Sequence, residues 1–212
     1  MRGRVAETTG RIPFARSLPL EKALHPDTLL AFAMNGELLP SEHGYPLRLI
    51  VPGWYGIASV KWLTRITAVG DSFDDFFQTS RYVMVSDRRN NPVPLAETRV
   101  RSVVVQPSEG AELLAWPIRL AGYAWSGGAP VSLVEVSTDG GPTWQPAQWT
   151  TGEQRYAWRR WEYCWTVEVP GEVILQSRAR DGNGKVQPAV GEWNELGYAN
   201  SAVQSVRVVI VE

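Results

Sequence analysis

Cysteine is almost missing from this chain. Cys164 stands alone among 212 residues. One cysteine makes neither an internal disulfide nor a cysteine-rich metal site. Histidine is nearly as scarce, with only His25 and His43. Both sit beside turns, so no Ser/His/Asp triad can be supported. Net charge is also lacking, at −1. That excludes the basic footprint of a nucleic-acid binder or of a protein drawn to anionic membranes. No apolar run approaches the ~20 residues of a membrane span. The opening M-R-G-R-V-A-E-T-T-G has no apolar stretch, so the expectation is that this chain carries no secretory signal. The compartment stays undetermined.

What is present is ordinary in bulk and unusual in detail. Hydrophobic residues make up 44% and charged residues 20%, as in common globular domains. The length suits one large domain or two small ones. Ten residues are tryptophan, and eight of them fall from Trp116 onward, so the C-terminal half is the aromatic-rich one.

Taken in order, the chain reads as mainly β. Ile12-Pro13-Phe14 and Leu18-Pro19-Leu20 read as short extended pieces, because proline disfavours helix in the residue before it. Leu20–Leu24 allows one helical turn before His25-Pro26, and His25 reads as a surface residue. Asp27–Met34 reads as a buried strand or short helix, which periodicity cannot separate. Asn35-Gly36 is a hairpin signal, since both residues tolerate positive φ. Ala58–Val69 alternates like a strand, with Val60, Trp62 and Ile66 as candidate core residues. Arg81–Val85 reads as another strand. Ser86–Pro94 has the composition of a linker. The expected domains are therefore 1–90 and 97–212.

Beyond Arg99 the pattern is short strands between turns: Val100–Val105, Ile118–Trp125, Val131–Ser137, Trp158–Val169, Val173–Ala179 and Ala202–Val211 among them. About seven strands at this spacing suggest an immunoglobulin-like sandwich. The fold class is mainly β, an α+β piece followed by an all-β sandwich. The usual inter-sheet disulfide is impossible here.

The most informative stretch runs from Met34 to Trp62. His43, Arg48 and Lys61 are spaced so that a strand and a loop can bring them to one anion. Arginine offers a planar fork to phosphate, lysine a point charge, and neutral histidine a hydrogen bond. Gly53 and Gly56 flank Trp54-Tyr55, where backbone can approach a ligand closely. By residue type alone, a turn histidine with two surface cations on strands is the better explanation of the stretch. His43-Gly-Tyr-Pro-Leu-Arg48-Leu-Ile-Val-Pro-Gly53, then Ser59-Val60-Lys61-Trp62-Leu63, closely resembles the sulfite oxidase family of molybdopterin oxidoreductases. So do Ser17–Leu24 and Ala33–Gly36. In the second half, Gly122–Gly128 and Val136–Trp144 resemble the dimerisation domain of that family. The resemblance runs from about Ser17 to the C-terminus.

The resemblance implies several things. The cofactor would be molybdenum-molybdopterin. His43, Arg48, Ser59, Val60 and Lys61 would contact the pyranopterin and its phosphate. The reaction would be two-electron redox with oxygen-atom transfer to or from a small oxyanion or oxide. Partners would be a second copy, held through the C-terminal sandwich, and a cytochrome or other electron carrier. In that family one cysteine thiolate holds the metal, from the upstream half of the cofactor domain. This chain is expected to lack it and to be inactive alone. Cys164, in W-E-Y-C-W-T-V, is expected to be a structural or partly exposed thiol. No equivalent is found for a substrate arginine near Asn200–Ser205, so sulfite is not the assigned substrate. The competing reading is a non-catalytic dimerisation or binding module with a vestigial cofactor lobe. Arg155, Arg159 and Arg160 with Trp158 and Trp161 form a basic-aromatic cluster, read as a strand with a solvated basic face in preference to an anion site in which arginine stacks on indole. Asp181-Gly-Asn-Gly184 reads as a turn, because no glutamate follows at the place a calcium loop requires.

Overall fold

The computed structural model describes residues 12–85, 92–167 and 169–211. The chain divides into two compact units. Unit 1 is 1–96 with 193–199, and unit 2 is 97–192 with 200–212. The N-terminal decapeptide and residues 86–91 of the linker-like stretch lie outside the described residues.

Unit 1 is built from very short elements. Helix α1 is Leu20–Ala23, the single turn expected there. Strand β1 is Leu29–Ala31, β2 is Ala33–Met34, β3 is Glu37–Leu38 and β4 is Arg48–Ile50. Helix α2 is Phe76–Thr79, with the Asp75 carboxylate accepting from Phe77 N at its N-terminus. Strand β5 is Val83–Met84 and β6 is Val93–Pro94. They form three antiparallel pairs: β1 with β4, β2 with β3, and β5 with β6. Asn35 and Gly36 have φ of 55° and 84°, and they close the β2–β3 hairpin as expected.

Several expectations for this half are corrected. Asp27–Met34 is not buried: Leu29, Leu30, Phe32 and Met34 are all exposed, because among the described residues β1 and β2 have no covering layer. Ala58–Val69 is not a strand. A 3₁₀ turn occupies Gly56–Ala58, and Trp62 takes φ of 52°, a left-handed conformation that interrupts extended backbone. Trp62 and Ile66 are exposed and Val60 is half-buried. Ile12–Phe14 and Leu18–Leu20 form no ladder, and Leu20 instead opens α1.

Unit 2 is a two-sheet sandwich. Its strands are β7 (Arg101–Gln106), β8 (Ala111–Leu114), β9 (Ile118–Trp125), β10 (Val131–Ser137), β11 (Gln145–Pro146), β12 (Gln148–Trp149), β13 (Arg159–Trp165), β14 (Gly171–Asp181) and β15 (Gln204–Val211). One sheet has the order β11-β10-β14-β15-β8, the other β12-β13-β9-β7. All pairings are antiparallel except β15 with β8. The sandwich has nine strands rather than about seven, because β11 and β12 are two residues each and β8 is short. Pieces of that size carry no readable alternation.

Alternation fills the core. Leu120, Ala124, Val134, Val136, Trp161, Leu175, Val206, Val208 and Ile210 point inward from both sheets. Tyr163 and Trp165 pack against that core while Cys164, between them, is exposed. This is the period-2 consequence of the pleat. Gly122 makes room for Trp161: a Cβ there would lie 2.0 Å from Val103 O and 2.2 Å from Trp161 Cζ2.

A carboxamide ties the two sheets together where a disulfide is impossible. Gln187 Oε1 accepts from Ser102 N at 2.7 Å and from Ala179 N at 3.2 Å. Its Nε2 donates to Ser102 O and Ala202 O. Ser102 Oγ and Ser177 Oγ hydrogen-bond at 2.9 Å. Ser102 lies on β7, the edge strand of one sheet, and Ser177 and Ala179 lie on β14 of the other. The amide thus behaves like a one-residue strand partner for the β7 edge. Asn194 does the same in unit 1: it accepts from Val85 N and donates to Val83 O and Tyr198 O.

Candidate functional site

The five residues singled out in the sequence lie in two segments that fold onto each other. Ser41–His43 is a 3₁₀ turn. It ends at Gly44, whose φ of 106° no side-chain-bearing residue adopts comfortably. Gly44 is also a point of close approach. A Cβ there would stand 3.0 Å from Lys61 Cβ and 3.2 Å from both Arg48 Cβ and Lys61 Cα. The missing side chain is therefore what lets the His43 turn sit against Arg48 and Lys61.

Backbone bonds fix the second segment. Leu49 N donates to Val60 O at 2.8 Å, and Leu63 N to Leu47 O at 2.8 Å. They lay 60–63 along the edge of β4 opposite β1. Ser59 Oγ accepts from Val51 N at 3.1 Å, so the hydroxyl secures the turn into that edge.

The cations are positioned by carbonyls rather than by acids. Arg48 Nη1 donates to His43 O at 3.0 Å and Nη2 to Ser59 O at 3.4 Å. Arg48 Nε is buried without a partner among the described residues. Lys61 Nζ donates to Glu42 O at 3.0 Å and lies 4.7 Å from the centre of the Trp62 ring. Trp62 Nε1 donates to Ser41 O at 3.1 Å. Carbonyls leave the positive charge of both side chains uncancelled, which suits a site for an anion. His43 and Lys61 are exposed, while Arg48, Ser59 and Val60 are half-buried.

The same stretch also lines a second place. Trp54 belongs to a cleft of about 460 Å³ within unit 1, with Arg16, Asp71 and Gln78 among its walls. None of His43, Arg48, Ser59, Val60 or Lys61 lines it. Sequence reasoning missed Arg16. It donates to Phe77 O and, at 3.0 Å, to Leu95 O, and burial pulls its pKa below the ordinary arginine value. No motif marks it, because its partners are distant carbonyls.

The other candidates have structural roles. Asp181 is buried, and its carboxylate accepts from Asn183 N, Lys185 N and Ser126 Oγ, so 181–184 is a turn. Arg159 stacks on Trp149 at 3.8 Å and donates to Val131 O. Arg160 pairs with Glu162 at 3.1 Å. Among the described residues no group of three His, Cys, Asp or Glu side chains could hold a metal.

Comparison with known proteins gives the family of both units. Residues 2–77 match the oxidoreductase molybdopterin binding domain, and 93–211 match the Mo-co oxidoreductase dimerisation domain. Sulfite oxidase of Gallus gallus is 37% identical over 210 residues, covering 91% of this chain and 46% of that protein. Mitochondrial sulfite oxidase of Mus musculus is 35% identical, covering 93% and 39% respectively. The crystal structure of the sulfane dehydrogenase SoxCD from Paracoccus pantotrophus superimposes with a TM-score of 0.79 at 34% identity. That match covers 90% of this chain and 50% of the other. The chain spans about half the length, or less, of these relatives.

Proposed function

This chain belongs to the sulfite oxidase family of molybdopterin-dependent oxidoreductases, and we propose that it supplies the pterin-and-phosphate side of a molybdenum-cofactor site. The observation that carries the reading is the close approach at Gly44, which gathers His43, Arg48 and Lys61 on one small surface. Those residues fit the group. Arg48 keeps a buried, unpartnered Nε, and both cations are held by carbonyls. Arg48 and Lys61 would bind the phosphate, and His43 would offer one hydrogen bond to the pterin. Ser59 and Val60 would present backbone to the pterin edge. When bound, the molybdenum cofactor supplies two-electron redox with oxygen-atom transfer. The substrate would be a small oxyanion or oxide, and electrons would pass to a cytochrome or another carrier.

The chain's single cysteine is exposed on β13 of the sandwich. We accordingly propose no metal ligand within these 212 residues and little turnover by them alone. The test is to co-express the chain with cofactor biosynthesis and measure bound pterin and molybdenum. Retention of pterin that falls in Arg48→Ala and Lys61→Ala supports the site. No retention, or retention indifferent to both substitutions, favours a non-catalytic dimerisation module.

A homodimer through the sandwich is the second part of the proposal. The outer face of the β12-β13-β9-β7 sheet carries an exposed aromatic pair next to the Arg119–Glu162–Arg160 charge cluster. Trp125 stacks on Trp158 at 4.4 Å, beside Tyr123, and Trp158 is 61% exposed. The outer face of the other sheet carries Glu135 with Arg178, Gln176 with Ser205, and a Trp144 ring that Arg178 covers at 4.2 Å and that is not exposed as Trp158 is. Exposed aromatics mark interface cores more than paired charges do. Trp158→Glu is expected to convert a dimer to a monomer in sedimentation equilibrium. A dimer that survives this substitution removes that face from the proposal.

A further inference from the structure

Trp62 holds an unfavourable backbone conformation with no burial to account for it. Its φ is 52°, in the left-handed region that bulky side chains seldom enter, and the residue is 53% exposed. Strain of this kind persists where surrounding contacts over-determine it.

The bonds to β4 show what the conformation achieves. Leu49 N donates to Val60 O, and Leu63 N to Leu47 O. A step of two residues along β4 therefore faces a step of three along 60–63. The facing segment holds one extra residue, as in a β-bulge, a device that re-aims side chains. In an even strand the neighbours Lys61 and Trp62 would point to opposite faces. Here both reach the same 3₁₀ turn. Lys61 Nζ donates to Glu42 O at 3.0 Å, and Trp62 Nε1 to Ser41 O at 3.1 Å.

With Arg48 Nη1 on His43 O, the successive carbonyls of 41, 42 and 43 each receive a side-chain donor. Two of those donors are cations, and a bound anion competes with the carbonyls for their N–H groups, because charge-assisted bonds are the stronger ones. The third donor is the neutral indole, on which an anion draws least. Its ring also lies 4.7 Å from Lys61 Nζ, within reach of cation–π attraction.

We infer that Trp62 is the positioning residue of this cluster. Its N–H keeps the Ser41–His43 turn docked, and its ring fixes Lys61 while the cations engage an anion. It acts through Lys61 and the turn rather than on the anion itself. The inference rests on the pterin-and-phosphate reading for the identity of that anion, whereas the placing of Lys61 is measurable without any cofactor.

Two substitutions test it. Trp62→Phe keeps a ring and removes the N–H, and Trp62→Leu removes both. The chain has three lysines, Lys22, Lys61 and Lys185, so reaction with an amine-reactive acetyl ester is assignable to each by peptide mass. Exposed Lys185, in unit 2, is the reference. In the cofactor-free chain, Lys61 of Trp62→Leu reacts about 2- to 5-fold faster against Lys185 than in the parent, and Trp62→Phe lies between the two. Pterin retained after co-expression falls about 2- to 10-fold in Trp62→Phe and about 5- to 50-fold in Trp62→Leu. Lys22, whose Nζ donates to Pro52 O, reports the folding of unit 1. If it accelerates together with Lys61 in Trp62→Leu, Trp62→Phe decides instead. Lys61 reactivity alike in all three proteins overturns the inference. So does a Trp62→Leu chain that keeps as much pterin as a loaded parent. A parent without pterin whose Lys61 still accelerates on substitution of Trp62 sinks the pterin-and-phosphate reading and leaves the positioning of Lys61 standing.

Discussion

Replacing Gln187 by leucine tests how a sandwich without a disulfide holds its two sheets in register. The carboxamide satisfies two buried donors, Ser102 N and Ala179 N, on strands of different sheets. It also serves the Ser102 and Ala202 carbonyls. Leucine has nearly the same volume and no polar atom, so cavity formation contributes little. Each orphaned buried donor costs about 1–3 kcal/mol, and the carbonyls, with a second lone pair each, cost less. The sum is about 3–5 kcal/mol for Gln187→Leu. For a unit of roughly 100 residues, 1 kcal/mol moves Tm by about 4–8 °C, so the sandwich transition drops by at least about 12 °C. Ser177→Ala, which removes only the hydroxyl contact to Ser102, costs about 1 kcal/mol by the same reasoning. Calorimetry reads the transition, and hydrogen exchange at Leu175 and Ser177 assigns it to β14. A loss below about 1 kcal/mol in Gln187→Leu would refute the claim that this amide joins the sheets.

Further outcomes follow from other contacts. Gly44→Ala places a Cβ against Lys61 and Arg48 at a φ of 106°. Such strain costs about 1–3 kcal/mol, so pterin retained after co-expression falls about 5- to 150-fold, while the sandwich transition stays put. Gly122→Ala drives a methyl into Val103 O and Trp161. Overpacking of this kind costs about 3 kcal/mol or more, read as a lost or strongly lowered sandwich transition. The Asp139 carboxyl has its pKa lowered to about 2 from the ordinary 3.8, chiefly by hydrogen bonds from Ser137 and Thr143. A depressed folded pKa stabilises the fold above the unfolded value and loses that contribution as pH falls through about 2. Asp139→Asn is therefore less stable than the parent at pH 6, and the gap closes near pH 2. A gap independent of pH would count against the hydrogen-bonded carboxylate.

Some of this was legible because the chemistry is local. Asn35-Gly36 closes a hairpin because both positions require positive φ. Ile118–Trp125 and Val131–Ser137 are strands with the residues expected, since their apolar side chains alternate over seven or eight positions. The same alternation puts Trp161, Tyr163 and Trp165 on the core side and Cys164 outside. Other assignments failed where an apolar composition was taken as burial. Leu29, Leu30 and Phe32 are apolar, yet burial depends on a second surface, and composition does not say where that surface comes from. Ala58–Val69 also alternates, but the left-handed backbone at Trp62 and the bonds from Leu49 and Leu63 decide its path.

By itself the sequence determined the mainly β class, the sandwich with its long strands, and the residue types gathered at His43, Arg48, Ser59, Val60 and Lys61. Periodicity and motif are written into neighbouring residues, so they survive without coordinates. Only the tertiary structure decided that Gly44 is the contact joining that cluster. Only it placed Gln187 across the two sheets, set β8 parallel to β15, and assigned 193–199 to unit 1. Each of those depends on groups far apart along the chain, whose pairing is fixed by packing and hydrogen-bond geometry rather than by anything adjacent in sequence.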